Sequence, residues 1–221
     1  MPIIIEAPAI SFINFGDGDR DWANMQNIST LSGEAFCNTK SASNTVARSI
    51  VAREFSFTGI PKYSKVVGIV VKVRRRQSDN NTTRDDTVRL IVNNTIVGAN
   101  KASSVNWETT ATEVVYGSPT DIWGLTEEQL STIFNQDYSI SPAFGVVFRP
   151  VTTTSSKLSS GRSDLYVSYI TITLYLKVNE CYKRVNGQWV LSKPDIRVGN
   201  SYSPTECYVR KNNQWVVLHI E

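Results

Sequence analysis

The stretch Lys65–Arg76 reads KVVGIVVKVRRR and decides the fold class of this chain. Successive residues of a β-strand point to opposite faces, and one face here is wholly apolar, comprising Val67, Ile69, Val71 and Val73. The other face begins apolar at Val66 and becomes cationic from Lys72 onward. So many β-branched residues in a row disfavour a helix. The pattern predicts a central strand of an all-β sandwich or barrel, buried on both faces at its start.

The composition of the 221 residues is typical of strands and turns rather than of helices. Charged residues make up 19%, below the usual quarter or so, while Thr, Ser, Asn and Val are plentiful. The formal charge of +3 is too small to indicate a nucleic-acid partner. The length predicts one large domain, residues 1–178, and a small appendage, residues 179–221.

The N-terminal residues Met1–Glu6 lack the basic and long apolar regions of a signal peptide. No apolar run approaches the roughly 18 residues that a membrane-spanning helix needs. We therefore expect the protein to be made in the cytosol without membrane insertion, and to stay there or to leave as part of an assembly. Two apolar pieces split by Pro8, Ile3–Ile5 and Ile10–Ile13, predict an edge strand or an N-terminal arm.

An acidic loop, Gly16–Trp22, carries Asp17, Asp19 and Asp21 at alternate positions. Three carboxylates at this spacing could converge on calcium, a hard cation that prefers oxygen ligands. The loop lacks the distal glutamate of an EF-hand, and Asp-Gly is also ordinary turn chemistry. Calcium binding stays an open alternative here, and no metal or cofactor site is predicted.

The three cysteines are Cys37, Cys181 and Cys207. This odd number, the absence of CxxC pairs and the single histidine argue against a zinc site. Buried free thiols are the preferred interpretation.

One short helix and one long strand stand out in the second half of the chain. Thr126 and Gln129 have the spacing of a capping box and predict a helix of about two turns. The strand is predicted over residues 164–178, with an inward face comprising Tyr166, Ser168, Ile170, Ile172, Leu174, Leu176 and Val178.

The C-terminal appendage contains a repeated unit. Glu180–Val190 recurs as Glu206–Val216 with constant spacing, and Asn and Gly occupy the turn positions. Each copy is predicted to be a β-hairpin with Tyr and Trp paired across it. A lone hairpin is marginally stable, so the two should pack on each other, on the main domain or on another subunit. Trp189 and Trp215 are interpreted as hairpin packing, with docking on a neighbouring subunit as the alternative.

No catalytic residues are predicted. His219, the only histidine, lies near the C-terminus, where segments rarely hold catalytic geometry. Asp85 and Asp86 are adjacent, so on a strand they point to opposite faces and cannot share a substrate proton. The chain is therefore predicted not to be an enzyme.

Two further groups of side chains have competing interpretations. The cationic strand end, comprising Lys72, Arg74, Arg75 and Arg76, could bind an acidic partner. The preferred interpretation is a solvated strand end whose arginines pair with Asp79, Asp85 or Asp86. Trp107, Tyr116 and Trp123 could form a platform for stacking sugar rings, but burial at the ends of a sandwich core is preferred, above all for Trp123.

The order of several motifs along the chain is distinctive. The motifs are Phe55–Pro61 (FSFTGIP), Val67–Arg74 (VGIVVKVR), Asp85–Leu90 (DDTVRL), Gly98–Ala102 (GANKA), Asp121–Thr126 (DIWGLT) and Phe144–Phe148 (FGVVF). This order resembles that of jelly-roll structural proteins of tailed bacteriophages and prophages, over residues 10–178. The tail units resemble hairpin repeats that often end phage tail proteins.

The resemblance implies an all-β fold: a jelly-roll β-sandwich with one short helix, followed by a small C-terminal β-hairpin repeat region. It implies a non-enzymatic virion component, in the tail, baseplate or head exterior, that assembles with other virion proteins and as a homo-oligomer such as a trimer. The alternative is a module that binds a host-surface glycan through exposed aromatic residues.

Overall fold

The computed structural model describes the sandwich over residues 3–29, 33–40, 45–61, 64–78, 82–133, 140–153 and 162–178. C-terminal to these it describes short strands at 181–185, 188–192, 195–198, 201–204, 208–211 and 214–217. For these tail strands the backbone pairing is described and the side chains are not.

Strands dominate the described part of residues 3–178. They are β1 (Ile3–Pro8), β2 (Ser11–Phe15), β3 (Ala35–Lys40), β4 (Thr45–Val46), β5 (Ser49–Arg53), β6 (Ser64–Gln77), β7 (Thr82–Val92), β8 (Thr95–Val97), β9 (Thr112–Ser118), β10 (Gly145–Thr153) and β11 (Arg162–Val178). A 3-10 helix, Met25–Ser29, follows the acidic loop, and the α-helix α1, Glu127–Ser131, lies between β9 and β10.

The strands form two antiparallel sheets. Sheet A has the order β1-β11-β6-β9, and sheet B has the order β2-β5-β10-β7-β8. Strand β3 also pairs with β11, along the N-terminal half of β11, whereas β1 pairs with its C-terminal half. The two-residue strand β4 pairs with β10 beside β5.

The strand pairing is nested, as in a long hairpin folded over a core. Strand β3 pairs with β11, β5 with β10, β6 with β9, and β7 with β8, and successive pairs alternate between sheets A and B. This is the connectivity of a jelly roll, two Greek keys in a double sheet. The predicted all-β jelly-roll sandwich is confirmed, and β1 and β2 add one edge strand to each sheet.

The main core lies between the two sheets. Its largest fully buried side chains include Trp123, Phe144, Phe148, Ile50, Ile69, Leu90, Ile170 and Ile172. A second small cluster, Val51, Ile91 and Val147, lies on the opposite face of sheet B, because Val51 alternates with Ile50 and Ala52 of the main core. The middle of sheet B is therefore buried on both faces.

A β-bulge in β6 shifts one predicted core residue. The ladder between β6 and β11 changes register next to Val67, which becomes an extra residue in β6. Val66 is buried in the core, while Val67 is only partly buried, so the predicted inward position of Val67 is wrong. Ile69, Val71 and Val73 face the core as predicted. A β-bulge places two residues of one strand opposite a single residue of its partner. Side chains on one side of the bulge therefore point to the opposite face from the one that simple alternation predicts.

A second bulge, at Ser168, has the same effect in β11. Leu165 and Val167 are buried in the core, and Tyr166 lies partly exposed on the outer face, so the predicted inward position of Tyr166 is wrong. Beyond the bulge the predicted inward residues are confirmed; they are Ile170, Ile172, Leu174 and Leu176. The side chain of Val178 lies outside the described ones.

The predicted capping box is confirmed. The Gln129 backbone N–H donates to Thr126 Oγ1 at 3.2 Å, and the Thr126 N–H donates to Gln129 Oε1 at 2.9 Å, which completes the capping box. Helix α1 has five residues, fewer than two turns. Asn93 and Asn94, with φ of 48° and 64°, form the tight turn between β7 and β8.

The described tail strands pair as three hairpins: β12 (Cys181–Val185) with β13 (Gln188–Ser192), β14 (Asp195–Val198) with β15 (Ser201–Pro204), and β16 (Tyr208–Lys211) with β17 (Gln214–Val217). The first and third coincide with the predicted units, and the middle one was not predicted. In the backbone register Trp189 lies opposite Arg184 and Trp215 lies opposite Arg210. The predicted Tyr–Trp pairing concerns side chains outside the described ones and stays a prediction.

Two glycines with positive φ provide a matched test of the packing between β9 and Trp123. A Cβ on Gly117 (φ +82°) would lie 2.4 Å from Ile69 O and 2.7 Å from Trp123 Nε1, whereas a Cβ on Gly59 (φ +73°) would meet nothing within 4 Å. Gly59→Ala should lower the free energy of unfolding by about 1 kcal/mol through backbone strain alone. Gly117→Ala adds overpacking and should lower it by about 3 kcal/mol. Urea denaturation measures both, and equal losses would contradict this packing.

Candidate functional site

A buried group of hydrogen-bonded side chains surrounds Asp85. Trp107 Nε1 donates to Asp85 Oδ1 at 2.8 Å, and Tyr116 OH donates to Oδ2 at 2.8 Å. The Ser103 backbone N–H donates to Oδ2 at 3.1 Å, and Arg75 Nε lies 3.2 Å from Oδ1. We call Asp85, Arg75, Trp107 and Tyr116 the Asp85 cluster.

The Asp85 cluster joins the two sheets. Asp85 comes from β7 in sheet B, and Arg75 and Tyr116 come from β6 and β9 in sheet A. Trp107 lies in the connection between β8 and β9, and its ring stacks on Phe148 at 5.8 Å between centroids. Arg75 Cζ lies 4.8 Å from the Trp107 ring centroid. Side chains from sheet A and from the β8–β9 connection therefore contact one carboxylate of sheet B.

The connection that carries Trp107 is fixed by further hydrogen bonds. The Trp107 N–H donates to Thr83 O at 2.8 Å, and Gln77 Nε2 donates to Trp107 O at 2.5 Å. Gln77 Oε1 is buried without a hydrogen-bond partner. The connection is therefore attached to both sheets, through β7 and β6.

The electrostatics of the Asp85 cluster fit a structural role. Burial and the nearby negative charge of Asp85 raise the pKa of Tyr116 well above its ordinary value, so the phenol stays a hydrogen-bond donor. The side chains of Arg75 and Asp85 are 4% and 0% exposed, so the ion pair is shielded from solvent. Both Asp85 oxygens accept hydrogen bonds from protein donors. The cluster holds the sandwich end closed and leaves no free group for proton transfer at Asp85.

The predicted alternative of an aromatic sugar-stacking platform is wrong. Trp107, Tyr116 and Trp123 are 2%, 4% and 0% exposed, so none presents a ring face to a ligand. The preferred interpretation, burial at the ends of the core, is confirmed. Trp123 has φ of 60° and donates from Nε1 to Ile69 O at 2.8 Å, which anchors it at the side of β6.

The cationic strand end is divided between two faces, and its predicted solvation is wrong for Arg75. Arg75 follows Val71 and Val73 at the same period of two and faces the core, where it pairs with Asp85 as one of its predicted partners. The alternation that buries Val71 and Val73 also places Arg75 in the core, but the charge of Arg75 suggested a position in solvent. Asp79 lies outside the described residues.

Two other cations of β6, Lys72 and Arg76, pair with partners that the sequence did not indicate. Lys72 Nζ lies 2.8 Å from Glu6, and Arg76 Nη2 lies 2.6 Å from Glu34. Asp86, predicted as a partner for this strand end, instead pairs with Arg149 at 2.5 Å. Partial burial opposes ionisation of Glu6, but the hydrogen bond from Lys72 holds the pKa of this carboxyl below its usual value.

The carboxylates of the acidic loop do not converge. Asp19 Oδ2 accepts a hydrogen bond from the Val46 N–H at 2.8 Å, and Asp21 pairs with Arg48 at 3.3 Å. In the described part of the chain, no three His, Cys, Asp or Glu side chains form a group that could hold a metal ion. The contacts of Asp19 and Asp21 therefore favour turn chemistry over the calcium alternative, and Asp17 is exposed.

Cys37 is a buried free thiol, as predicted. Burial raises the pKa of this thiol to about 12, which keeps it protonated and unreactive at neutral pH. Cys207 and His219 lie outside the described residues, as do the side chains of Cys181, Trp189 and Trp215. The interpretations of these residues stay predictions.

The N-terminal edge, which we define as residues 3–15, is the most exposed apolar part of the described chain. Ile3, Ile4, Ile10 and Ile13 are 36%, 59%, 55% and 45% exposed. Strand β1 lies at the edge of sheet A, and β2 lies at the edge of sheet B. One continuous segment therefore forms an edge of both sheets, and the predicted edge strand is confirmed.

Four aromatic side chains that reach the surface lie on the outer face of sheet A. Phe36 is 37% exposed, and Tyr166, Tyr169 and Tyr175 are partly exposed. Arg76 Cζ lies 3.7 Å from the Tyr166 ring centroid, and Tyr169 OH donates to a Glu113 carboxylate oxygen. These contacts cover part of the aromatic surface.

No helix in the described residues is long and apolar enough to cross a membrane. Comparisons with protein-family models, with curated proteins and with solved structures find no match for this chain.

Replacing Asp85 tests whether the Asp85 cluster is structural. Asp85→Ala leaves the Arg75 guanidinium buried without a counter-ion and should lower the free energy of unfolding by about 3–5 kcal/mol. The matched variant Asp86→Ala removes a partly exposed pair with Arg149 and should cost about 1 kcal/mol or less. Chemical denaturation measures both.

The double variant Arg75→Met/Asp85→Leu removes both charges and should recover much of the lost stability, because apolar replacements of a buried ion pair are often tolerated. Equal effects of Asp85→Ala and Asp86→Ala would show that Asp85 does not close the sandwich end.

Proposed function

We propose that the protein is a non-enzymatic structural subunit of a tailed-phage virion, in its tail, baseplate or head exterior. It assembles through protein–protein contacts with other virion proteins and with copies of itself. The observation that carries this proposal is the exposed N-terminal edge. The jelly-roll topology, which is common in capsid and lectin domains, and the motif order support it.

The N-terminal edge has the properties of an assembly surface. An edge strand presents unpaired N–H and C=O groups, and soluble proteins usually protect such edges with charges, proline or bulges. Strand β1 carries Glu6 and Pro8, but no charged residue occurs from Ala7 to Phe15. Strand β2 is therefore a neutral, β-prone edge with exposed Ile13 at its centre. Pairing with another subunit would satisfy its backbone and cover this side chain.

A second copy of the chain fits this edge. In an antiparallel pair of β2 strands centred on Ile13, each Ile13 lies opposite its counterpart and Ser11 lies opposite Phe15 of the other copy. No like charges meet in this arrangement, because Ser11–Phe15 contains none. The proposed homo-oligomer therefore has a self-complementary contact, which is what a two-fold interface requires.

The ionisable groups of the sandwich support a structural role over catalysis. Asp85 is saturated by protein donors, and Asp86, Glu6 and Glu34 each pair with a cation. These pairs connect strands distant in sequence, which stabilises the sandwich as a scaffold. Glycan recognition through Trp107 and Trp123 is not proposed, because both are buried.

Two exposed β-branched residues on edge strands allow a matched test of assembly. Ile13→Lys places a charge at the centre of β2 and should weaken self-association at least about tenfold, a change of about 1.4 kcal/mol. Val115→Lys, at a 54% exposed position on β9, should leave association unchanged. Size-exclusion chromatography with light scattering measures the oligomeric state of each variant.

Antibody labelling of purified particles in electron micrographs tests the virion assignment directly. Regular labelling is expected. A monomeric wild-type chain that is also absent from particles would overturn the proposed function.

A further inference from the structure

Four arginines lie on the outer face of sheet B, which points away from the main core. They are Arg53 of β5, Arg84 and Arg89 of β7, and Arg149 of β10. Adjacent residues of a strand face opposite ways, and each arginine is the chain neighbour of a residue buried inside the sandwich. Those neighbours are, in the same order, Ala52, Asp85, Val88 and Phe148. Arg84 is exposed and the other three arginines are partly exposed, and we call these four residues the arginine face.

The strand register places the arginines in successive rows across sheet B. The rows, named by their residue of β10, are Gly145 with Arg53, Val147 with Arg89, Arg149 itself, and Val151 with Arg84. These four positions of β10 are alternate residues, so consecutive rows are about 7 Å apart. One arginine therefore occurs in each row, along about 20 Å of the face.

Apolar side chains lie between the arginines on the same face. They include Val51, Ile91 and Val147, with Phe15 and Ile96 packed against them. The Arg53 side chain extends over β10 at Gly145, since a Cβ on Gly145 would lie 2.9 Å from Arg53 Cγ. An arginine stem can cover apolar surface while its guanidinium stays close to water. The apolar residues therefore position the stems of the arginine face and leave its charged groups near the surface.

The arginine face has few matching carboxylates in the part of the chain that the structure describes. Asp86 pairs with Arg149 at 2.5 Å, but no ion pair joins Arg53, Arg84 or Arg89 to a described carboxylate. Arg53 Nε is buried without a hydrogen-bond partner. A buried N–H group without an acceptor is destabilising, and a bound carboxylate would supply the acceptor. The charges of this face are therefore complementary to an anionic partner.

We propose that the arginine face binds an extended acidic segment of a partner protein, with carboxylates at alternate positions. Alternate residues of an extended chain point the same way and are about 7 Å apart, which matches the spacing of the rows. Each carboxylate of such a segment can accept paired hydrogen bonds from a guanidinium. This recognition does not depend on the proposed assembly through β2.

A protein segment fits the arginine face better than a nucleic acid does. Proteins that bind single strands stack successive bases on aromatic side chains. Among the described residues in the four rows, Phe15 alone is aromatic. The formal charge of +3 for the whole chain is also small for a protein that binds duplex DNA. A nucleic acid is therefore the comparison ligand in the test.

The spacing of the carboxylates can be tested with the wild-type full-length chain. The probe is a fluorescent peptide of alternating Glu and Ser, and the comparison peptide has the same composition with all its glutamates in one block. We expect salt-sensitive binding, at least about threefold tighter for the alternating peptide than for the block peptide or for a single-stranded oligodeoxynucleotide of equal charge. Equal affinity for the two peptides, tighter binding of the oligonucleotide, or no binding would overturn the proposal.

A pair of matched double variants tests the position of the site. Arg53→Gln with Arg84→Gln breaks no described ion pair and should weaken binding of the alternating peptide at least about tenfold, with thermal unfolding unchanged. The control, Lys65→Gln with Lys177→Gln, removes two exposed charges from sheet A and should leave affinity within about twofold. An equal loss in both double variants would show that overall charge, rather than the arginine face, determines binding.

Discussion

The antiparallel ladder between β6 and β11 is the constraint on which the rest of the structure depends. It extends from the Ser64–Val178 pair to the Gln77–Leu165 pair and forms the centre of sheet A. Its two strands are separated by the 84 residues 78–161, which carry β7, β8, β9 and β10, so this central ladder is a contact of long sequence separation. The nested pairing of the jelly roll follows from this one long-range contact, since β7, β8, β9 and β10 are enclosed between its halves.

The same ladder explains the Asp85 cluster. The inward face of β6 continues past Val73 to Arg75, which brings a guanidinium to the end of the core. An unpaired buried charge would be strongly destabilising, and sheet B supplies Asp85 to meet it. Trp107 and Tyr116 then satisfy the remaining acceptor sites of that carboxylate. This polar network fixes the relative position of the two sheets and attaches the connection that precedes β9. Apolar packing alone would define the relative position of the sheets less specifically.

The sequence predicted what depends on local pattern and missed what depends on distant partners. Ile69 and Val73 were placed correctly because burial on one face of a strand follows from alternation. The bulge at Val67 was not predicted, because it depends on the register against β11. Arg75 was assigned to solvent by its residue type, although the period of two placed it inside. The middle tail hairpin was missed because Asp195 and other changes obscure a repeat whose retained positions are few.

The sandwich has a closed end at Asp85 and an exposed N-terminal edge, which we propose is covered by another subunit. Hydrogen–deuterium exchange of the backbone amides of Ser11–Phe15, in the assembled state and in isolated subunits, tests this most directly. Strand addition predicts that the solvent-facing amides of β2 exchange much more slowly on assembly, while those of β8, the opposite edge of sheet B, change little. Unchanged exchange in β2 on assembly would contradict the claim.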